Sequence, residues 1–298
     1  MIRLRRKTGV LLLALLLALA SHAHAAWGEP SRVAVLDFGD SASARRAADE
    51  LADALRSDPA LSVLSRAQSR AAARGVGYRG SLNLTLEDAR SLGAAAGCDF
   101  FFAGDADTVR RSPGGARPDY FESYASLFLV SSHTGRLALW ERLSAEASST
   151  DAAEKKLIEQ LRSRARDYAS AAARARDAER AERHLAVERD TPVIEDAPGE
   201  GSLAAKDFRV PLPYRRLRPA YTDEAARDSV EATVDALVEL DERGEVTNVE
   251  IARWAGYGLD ESVARTIRQM HFRPALRAGA PVATRVLLRY NFRKPKVD

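Results

Sequence analysis

The residues best able to bind a metal, or to act as nucleophile or base, are five histidines and one cysteine. Their placement supports none of these chemistries. His22 and His24 follow an amino-terminal apolar run, while His133, His184 and His271 sit in a turn, a charged helix and a helix end. None has the spacing of a ligand set. Cys98 lies in Gly93-Ala94-Ala95-Ala96-Gly97-Cys98, where a lone thiol reads as a small buried hydrophobe and cannot close an internal disulfide. Gly114-Gly115 lacks the Lys-Ser/Thr of a phosphate loop, and no nucleophile elbow is present. The expectation is a protein that is not an enzyme, with no catalytic residues, no metal and no cofactor.

The residues that remain are suited to recognition. Arg285, Leu287, Arg289 and Asn291 alternate with Val286, Leu288 and Tyr290, so they share one face of a strand. Two roles fit them. Charges on an edge strand discourage aggregation, and they also steer an acidic peptide that adds as a further strand.

The elements that must position this strand fill the end of the chain. Val230, Ala232, Val234, Ala236, Val238 and Leu240 are apolar at every second position, a strand with one buried face. Asp241-Glu242-Arg243-Gly244 is a turn signal, and Val246, Val249 and Ile251 begin the returning strand. Leu259, Val263, Ile267 and Met270 lie on one face of a helix, with Asp260 expected as its N-cap and Pro274 as its stop. Val282–Phe292 is the last strand, and Thr222–Arg227 predicts a short helix upstream. The order fits a three-stranded antiparallel sheet with two helices on one face.

This stretch resembles the TonB carboxy-terminal domain. The matching features are the hairpin with its Asp/Glu-Arg-Gly turn, Gly256-Tyr257-Gly258-Leu259-Asp260-Glu261-Ser262, Phe272-Arg273-Pro274-Ala275, Ala278-Gly279-Ala280-Pro281-Val282 and a last strand ending in Tyr290-Asn291-Phe292. One departure stands out: the family usually has a Tyr-Pro pair before the first helix, whereas Tyr221 is followed by Thr222. The resemblance implies a module that grips a short extended peptide of an outer-membrane TonB-dependent receptor. It places Val282–Phe292 at a sheet edge, which makes Arg285, Leu287, Arg289 and Asn291 the candidate partner-binding residues.

Upstream, Val33–Phe38 and Leu61–Leu64 read as strands, and Ala44–Arg56, the residues around Gln68 and Leu86–Ala96 as helices. Thr85 and Asp88 form a capping pair for the last of these. Phe100-Phe101-Phe102 opens a buried strand, and Tyr120–Val130 with Leu137–Ala145 form a hairpin around Ser132-His133-Thr134-Gly135. The sum is a layered α/β fold. The order of these motifs resembles the amino-terminal domain of TolB and the CsgG-like proteins, which implies protein–protein work in the bacterial envelope.

Asp151–Asp190 has no Gly or Pro and should be helical, with Leu157, Leu161 and Tyr168 docking its first half. No sustained heptad follows, so its second half reads as a solvated helix. Thr191–Ala205, with Pro192 and Pro198, reads as a flexible linker. The expected organisation is a signal peptide at 1–25, an α/β domain at 31–147, a charged helix at 151–190, a linker at 191–210 and the TonB-like domain at 211–298. The fold class is α+β, and the two domains are expected to fold independently with few contacts between them.

Arg3, Arg5, Arg6 and Lys7 precede the apolar run Val10–Ala20, and Ala23-His24-Ala25 is a small-x-small site. This is the layout of a secretory signal peptide cleaved after Ala25, which predicts a periplasmic protein. The alternative is an uncleaved inner-membrane anchor, but the run is far short of the roughly 20 residues of a span. The whole chain carries +3, and removing the four leader charges leaves −1. The basic balance therefore gives no argument for nucleic-acid binding. Partners are expected among outer-membrane receptors or other envelope proteins, with an inner-membrane energising complex if the leader is retained.

Overall fold

The computed structural model describes residues 29–112, 118–188, 194–199 and 205–294. The leader, with its site at Ala25, and Gly114-Gly115 lie outside the described residues. The chain is α+β, as expected. A five-stranded sheet comprises β1 (Ser31–Val35), β2 (Leu61–Val63), β3 (Phe100–Arg111), β4 (Tyr120–Ser131) and β5 (Leu137–Ala147) in the order β2-β1-β3-β4-β5. β2 and β3 run parallel to β1, whereas β3, β4 and β5 form an antiparallel meander. The helices are α1 (Ala42–Arg56), α2 (Arg66–Gly75), α3 (Leu86–Ala96) and α4 (Thr150–Glu188). α3 begins at the predicted box: the Thr85 hydroxyl accepts from the Asp88 amide, and the Asp88 carboxylate accepts from the Thr85 amide.

The strands of this sheet are apolar on both faces, and side chains from successive positions enter two different cores. Val33, Val35, Phe100, Phe102, Leu127 and Leu129 pack beneath α1 and α4. Their neighbours Ala34, Leu36, Phe101, Phe128 and Val130 point the other way. α4 is therefore a layer of the domain. Leu157, Leu161 and Tyr168 are buried as expected, but Ala171 and Ala172 are buried too. Glu179 and Glu182, further along, reach Thr134 and Arg136. The expected solvated second half is thus partly docked, because a run of Ala lets the helix lie close to the sheet.

The second sheet holds β9 (Ala232–Leu240), β10 (Val246–Arg253) and β14 (Thr284–Phe292), with β9 in the centre and every pairing among the three antiparallel. Two helices accompany it, α5 (Asp223–Arg227) and α6 (Leu259–Ile267). Between these elements run β7 (Phe208–Arg209), β8 (Leu212–Pro213), β11 (Phe272–Arg273), β12 (Ala275–Arg277) and β13 (Ala280–Val282), which pair as β8 with β11 and as β7-β12-β13. A short fourth member of the sheet, β6 (Glu195–Asp196), joins the far side of β14. The Gly244 turn of the β9–β10 hairpin needs its glycine. Its φ is 83°, and a Cβ there would lie 2.0 Å from the Phe272 carbonyl oxygen. Thr222, where the family usually has proline, caps α5 by accepting from the Ala225 amide.

Three further expectations are corrected. Asp260 does not cap α6. Gly258 occupies that position, and the Asp260 carboxylate accepts from the Ala255 and Gly256 amides of the turn before the helix, each at 2.9 Å. The helix ends at Ile267, well before Pro274. Most consequentially, the two halves share a core. Phe101, Phe128 and Val130 of the first sheet join Val234, Val238, Trp254, Leu259 and Val263 in one cluster. Phe128 stacks on Trp254 with centroids 5.5 Å apart, and Tyr257 packs edge-on to Phe128 and 4.7 Å from Trp140. A sheet with two apolar faces must cover both; α3, through Leu86, Ala89 and Leu92, and the carboxy-terminal module cover the second together.

Polar groups lock the same contact. The Trp254 indole N–H donates to the Gly135 carbonyl at 3.1 Å. The Asn83 amide donates to the carbonyls of Thr233 and Trp254, and its oxygen accepts from the Thr233 amide. Arg142, almost fully buried, pairs with Asp228 at 2.6 Å and with Glu122 at 2.9 Å. Gly256 has φ 72°, and a Cβ on it would lie 2.5 Å from the Phe128 ring. Tyr257 beside it also has a positive φ, 54°, a strain of about 1–3 kcal/mol sustained by the surrounding aromatic packing.

Candidate functional site

β14 is positioned from one side only. It pairs with β9 along its whole length, from Thr284 opposite Leu240 to Phe292 opposite Ala232. On its other side β6 pairs with Thr284 and Arg285 alone. From Val286 to Phe292 the edge has no strand partner among the described residues. In an antiparallel ladder, alternate residues turn their N–H and C=O away from the partner. The Arg285 carbonyl accepts from the Ala197 amide at 2.9 Å, so Arg285 is one of the outward set. By that alternation the free amides and carbonyls belong to Leu287, Arg289 and Asn291.

These are the residues singled out from the sequence. Their side chains lie on the face away from the core, with Leu287 53% exposed. Val286, Leu288 and Tyr290 pack against the shared core from its periphery. A groove of about 1040 Å³ runs beside the edge. It is lined by Leu287, Leu288 and Tyr290 of β14 and by Val210, Leu212 and Leu217 from the segment that carries β7 and β8. Val210 and Leu212 are about half exposed, so the groove offers apolar surface on both sides.

The arginines are less free than their sequence positions imply. Arg289 binds Asp235 on the neighbouring strand with contacts of 2.6 and 3.0 Å. Arg253 reaches the same carboxylate from β10 at 3.1 Å. Hydrogen bonds from Arg289 and then Arg253 hold the Asp235 carboxyl below the usual carboxylate range, against the effect of burial. Arg285 binds Glu239 at 2.6 Å and lies 3.8 Å from Asp196. Both arginines therefore belong to cross-strand ion pairs, with part of each guanidinium open to solvent.

Sequence reasoning missed the far wall of the groove. Val210, Leu212 and Leu217 sit in a Pro-rich entry with no periodicity, and only pairing of β7 and β8 with the 272–277 segment brings them opposite β14. The histidines remain apart, His133 near Asp99 and His271 near Glu245. Cys98 is buried, as expected, with its sulfur 3.4 Å from the Ser132 hydroxyl.

Residues 218–293 match the family described as Gram-negative bacterial TonB protein C-terminal. The carboxy-terminal part of the chain is thus a TonB C-terminal domain, and the strand whose edge is open is the last strand of that domain. No match was found among curated proteins. Among solved structures, the chain is similar to the hypothetical protein CT253 from Chlamydia trachomatis, with 14% identity over 47% of this chain and 98% of that one, at a TM-score of 0.35. It is similar to the Pseudomonas aeruginosa TonB C-terminal domain, with 22% identity over 33% and 97% of the two chains and a TM-score of 0.26. The LpoB C-terminal domain from Salmonella enterica matches with 16% identity over 39% and 83%, at a TM-score of 0.28.

Proposed function

We propose that the chain is a periplasmic, non-enzymatic binding protein whose TonB-like module takes up an extended segment of an outer-membrane receptor as an added strand, contributing to energy-coupled transport. The observation that supports this reading most is the open edge of β14 between Val286 and Phe292, with its outward amides beside an apolar groove. Main-chain hydrogen bonds supply affinity in this mode, and pockets for alternate side chains supply selectivity. Cleavage of the leader after Ala25 places the protein in the periplasm under this proposal, and a retained leader would tie it to an inner-membrane energising complex.

A second reading is a scaffold or assembly factor that binds another envelope protein. It is favoured by the core shared between the module and the first sheet. That core holds the module against the amino-terminal domain instead of leaving it at the end of a long tether.

One experiment tests addition of a receptor strand at this edge. Leu287→Pro deletes an amide that points to the edge, whereas Leu288→Pro deletes one that serves the β9 ladder. Leu287→Pro is expected to keep the circular dichroism spectrum and lose binding to synthetic receptor-derived peptides by at least tenfold, whereas Leu288→Pro is expected to lose structure. Full peptide affinity in folded Leu287→Pro would refute addition at this edge.

A further inference from the structure

The edge of β14 is not wholly empty, and its occupant comes from the chain itself. Residues 194–199 belong to the stretch that composition assigns to a flexible linker, yet Glu195 and Asp196 pair with Thr284 and Arg285 in parallel register. The Ala197 amide donates to the Arg285 carbonyl at 2.9 Å, and the Thr284 hydroxyl donates to the Glu195 carbonyl at 3.0 Å. Charge matches at both side chains: Glu195 pairs with Arg277, and Asp196 lies 3.8 Å from Arg285. Among the described residues the pairing ends with the Ala197 amide.

Asp196 and Ala197 also line the groove beside Leu287 and Tyr290. The linker thus lies at the entrance of the site that the added strand would use, bound by backbone pairing and by acid-to-arginine contacts. Resting on the strand-addition reading above, we infer that the segment Ile194–Ala197 is a tethered competitor for this edge. The partner it gives way to is an acidic extended peptide that runs parallel to β14.

The physical logic is that of effective concentration. A segment tied to its site by a short connection faces it at millimolar effective concentration. A weak two-residue pairing can then hold the start of the edge closed to dilute peptides. A longer peptide displaces it by continuing past Arg285 along the outward groups of Leu287, Arg289 and Asn291, which the described linker residues leave unpaired.

The test uses the linker as its own probe. A fluorescent peptide with the sequence of residues 191–200 is titrated into the full chain and followed by anisotropy. Ala197→Pro removes the donating amide, and the double variant Glu195→Lys, Asp196→Lys reverses both charges; neither position lies in the shared core. Both variants are expected to bind the free peptide at least tenfold more tightly than the wild type. A control peptide with Lys at both acidic positions is expected to bind at least tenfold more weakly than the native one. Equal affinity of wild type and variants for the native peptide, or no binding to any of them, would overturn the inference. Equal binding of the Lys peptide would overturn its acidic specificity. No receptor peptide enters the measurement, so failure of the receptor assignment and failure of this inference give separate signals.

Discussion

Trp254→Ala tests the coupling between the two halves. Trp254 is 1% exposed, stacks on Phe128 across the contact and donates its indole N–H to Gly135. Truncating a buried Trp costs about 3–5 kcal/mol through lost transfer energy and the cavity left behind. The lost hydrogen bond adds about 1 kcal/mol. In a protein of this size 1 kcal/mol shifts the melting temperature by about 2–4 °C, so the variant should melt roughly 8–24 °C lower. Trp254→Phe keeps the stack and loses the donor, and should cost about 1–2 kcal/mol. The assays are thermal and urea denaturation, both followed by far-UV circular dichroism because removing Trp254 also changes the fluorescence. A single wild-type transition, displaced as a whole in Trp254→Ala, is the expected result. Two separated wild-type transitions, or a loss below about 1 kcal/mol, would refute the shared core as a source of cooperativity.

Other predictions concern buried charge. Arg142 lies between Glu122 of the first half and Asp228 of the second. Arg142→Met leaves Asp228 without its cation and should destabilise by about 3–5 kcal/mol in the same denaturation assay; an unchanged midpoint would show the pair to be energetically idle. Burial pushes the Asp260 carboxyl up to about 7, against hydrogen bonds from the Ala255 and Gly256 amides that favour its charged form. Its folded-state value then exceeds its unfolded value near 3.9, so the folded state holds the proton more firmly. Stability from this group is full below about pH 4 and declines as pH rises toward 7, by at most about 1.4 kcal/mol per unit. Asp260→Asn should flatten the melting temperature over that range, and an unaltered slope would assign the dependence elsewhere.

Local pattern determined most of the elements. Period-two alternation located β9 and β14, and the Thr85–Asp88 box marked the start of α3. The outward set Arg285, Leu287, Arg289 and Asn291 followed from the same alternation, because a strand's two faces are written into its sequence. Tertiary structure decided what those elements meet. The linker's pairing with β14 depends on two residues and two arginines distant in sequence, and no periodicity announces a two-residue strand. The groove wall at Val210 and Leu212 exists only after β7 and β8 pair with the segment from Phe272 to Arg277. The shared core did leave a trace: Phe100-Phe101-Phe102 and Leu127-Phe128-Leu129-Val130 are apolar at every position, as in strands buried on both faces. That trace says a second cover is required. It does not say which part of the chain supplies it, since burial is non-directional and any apolar face of matching shape would serve. The fit of Trp254 and Gly256 against Phe128 settles the choice, and packing of that kind is a property of the assembled surfaces.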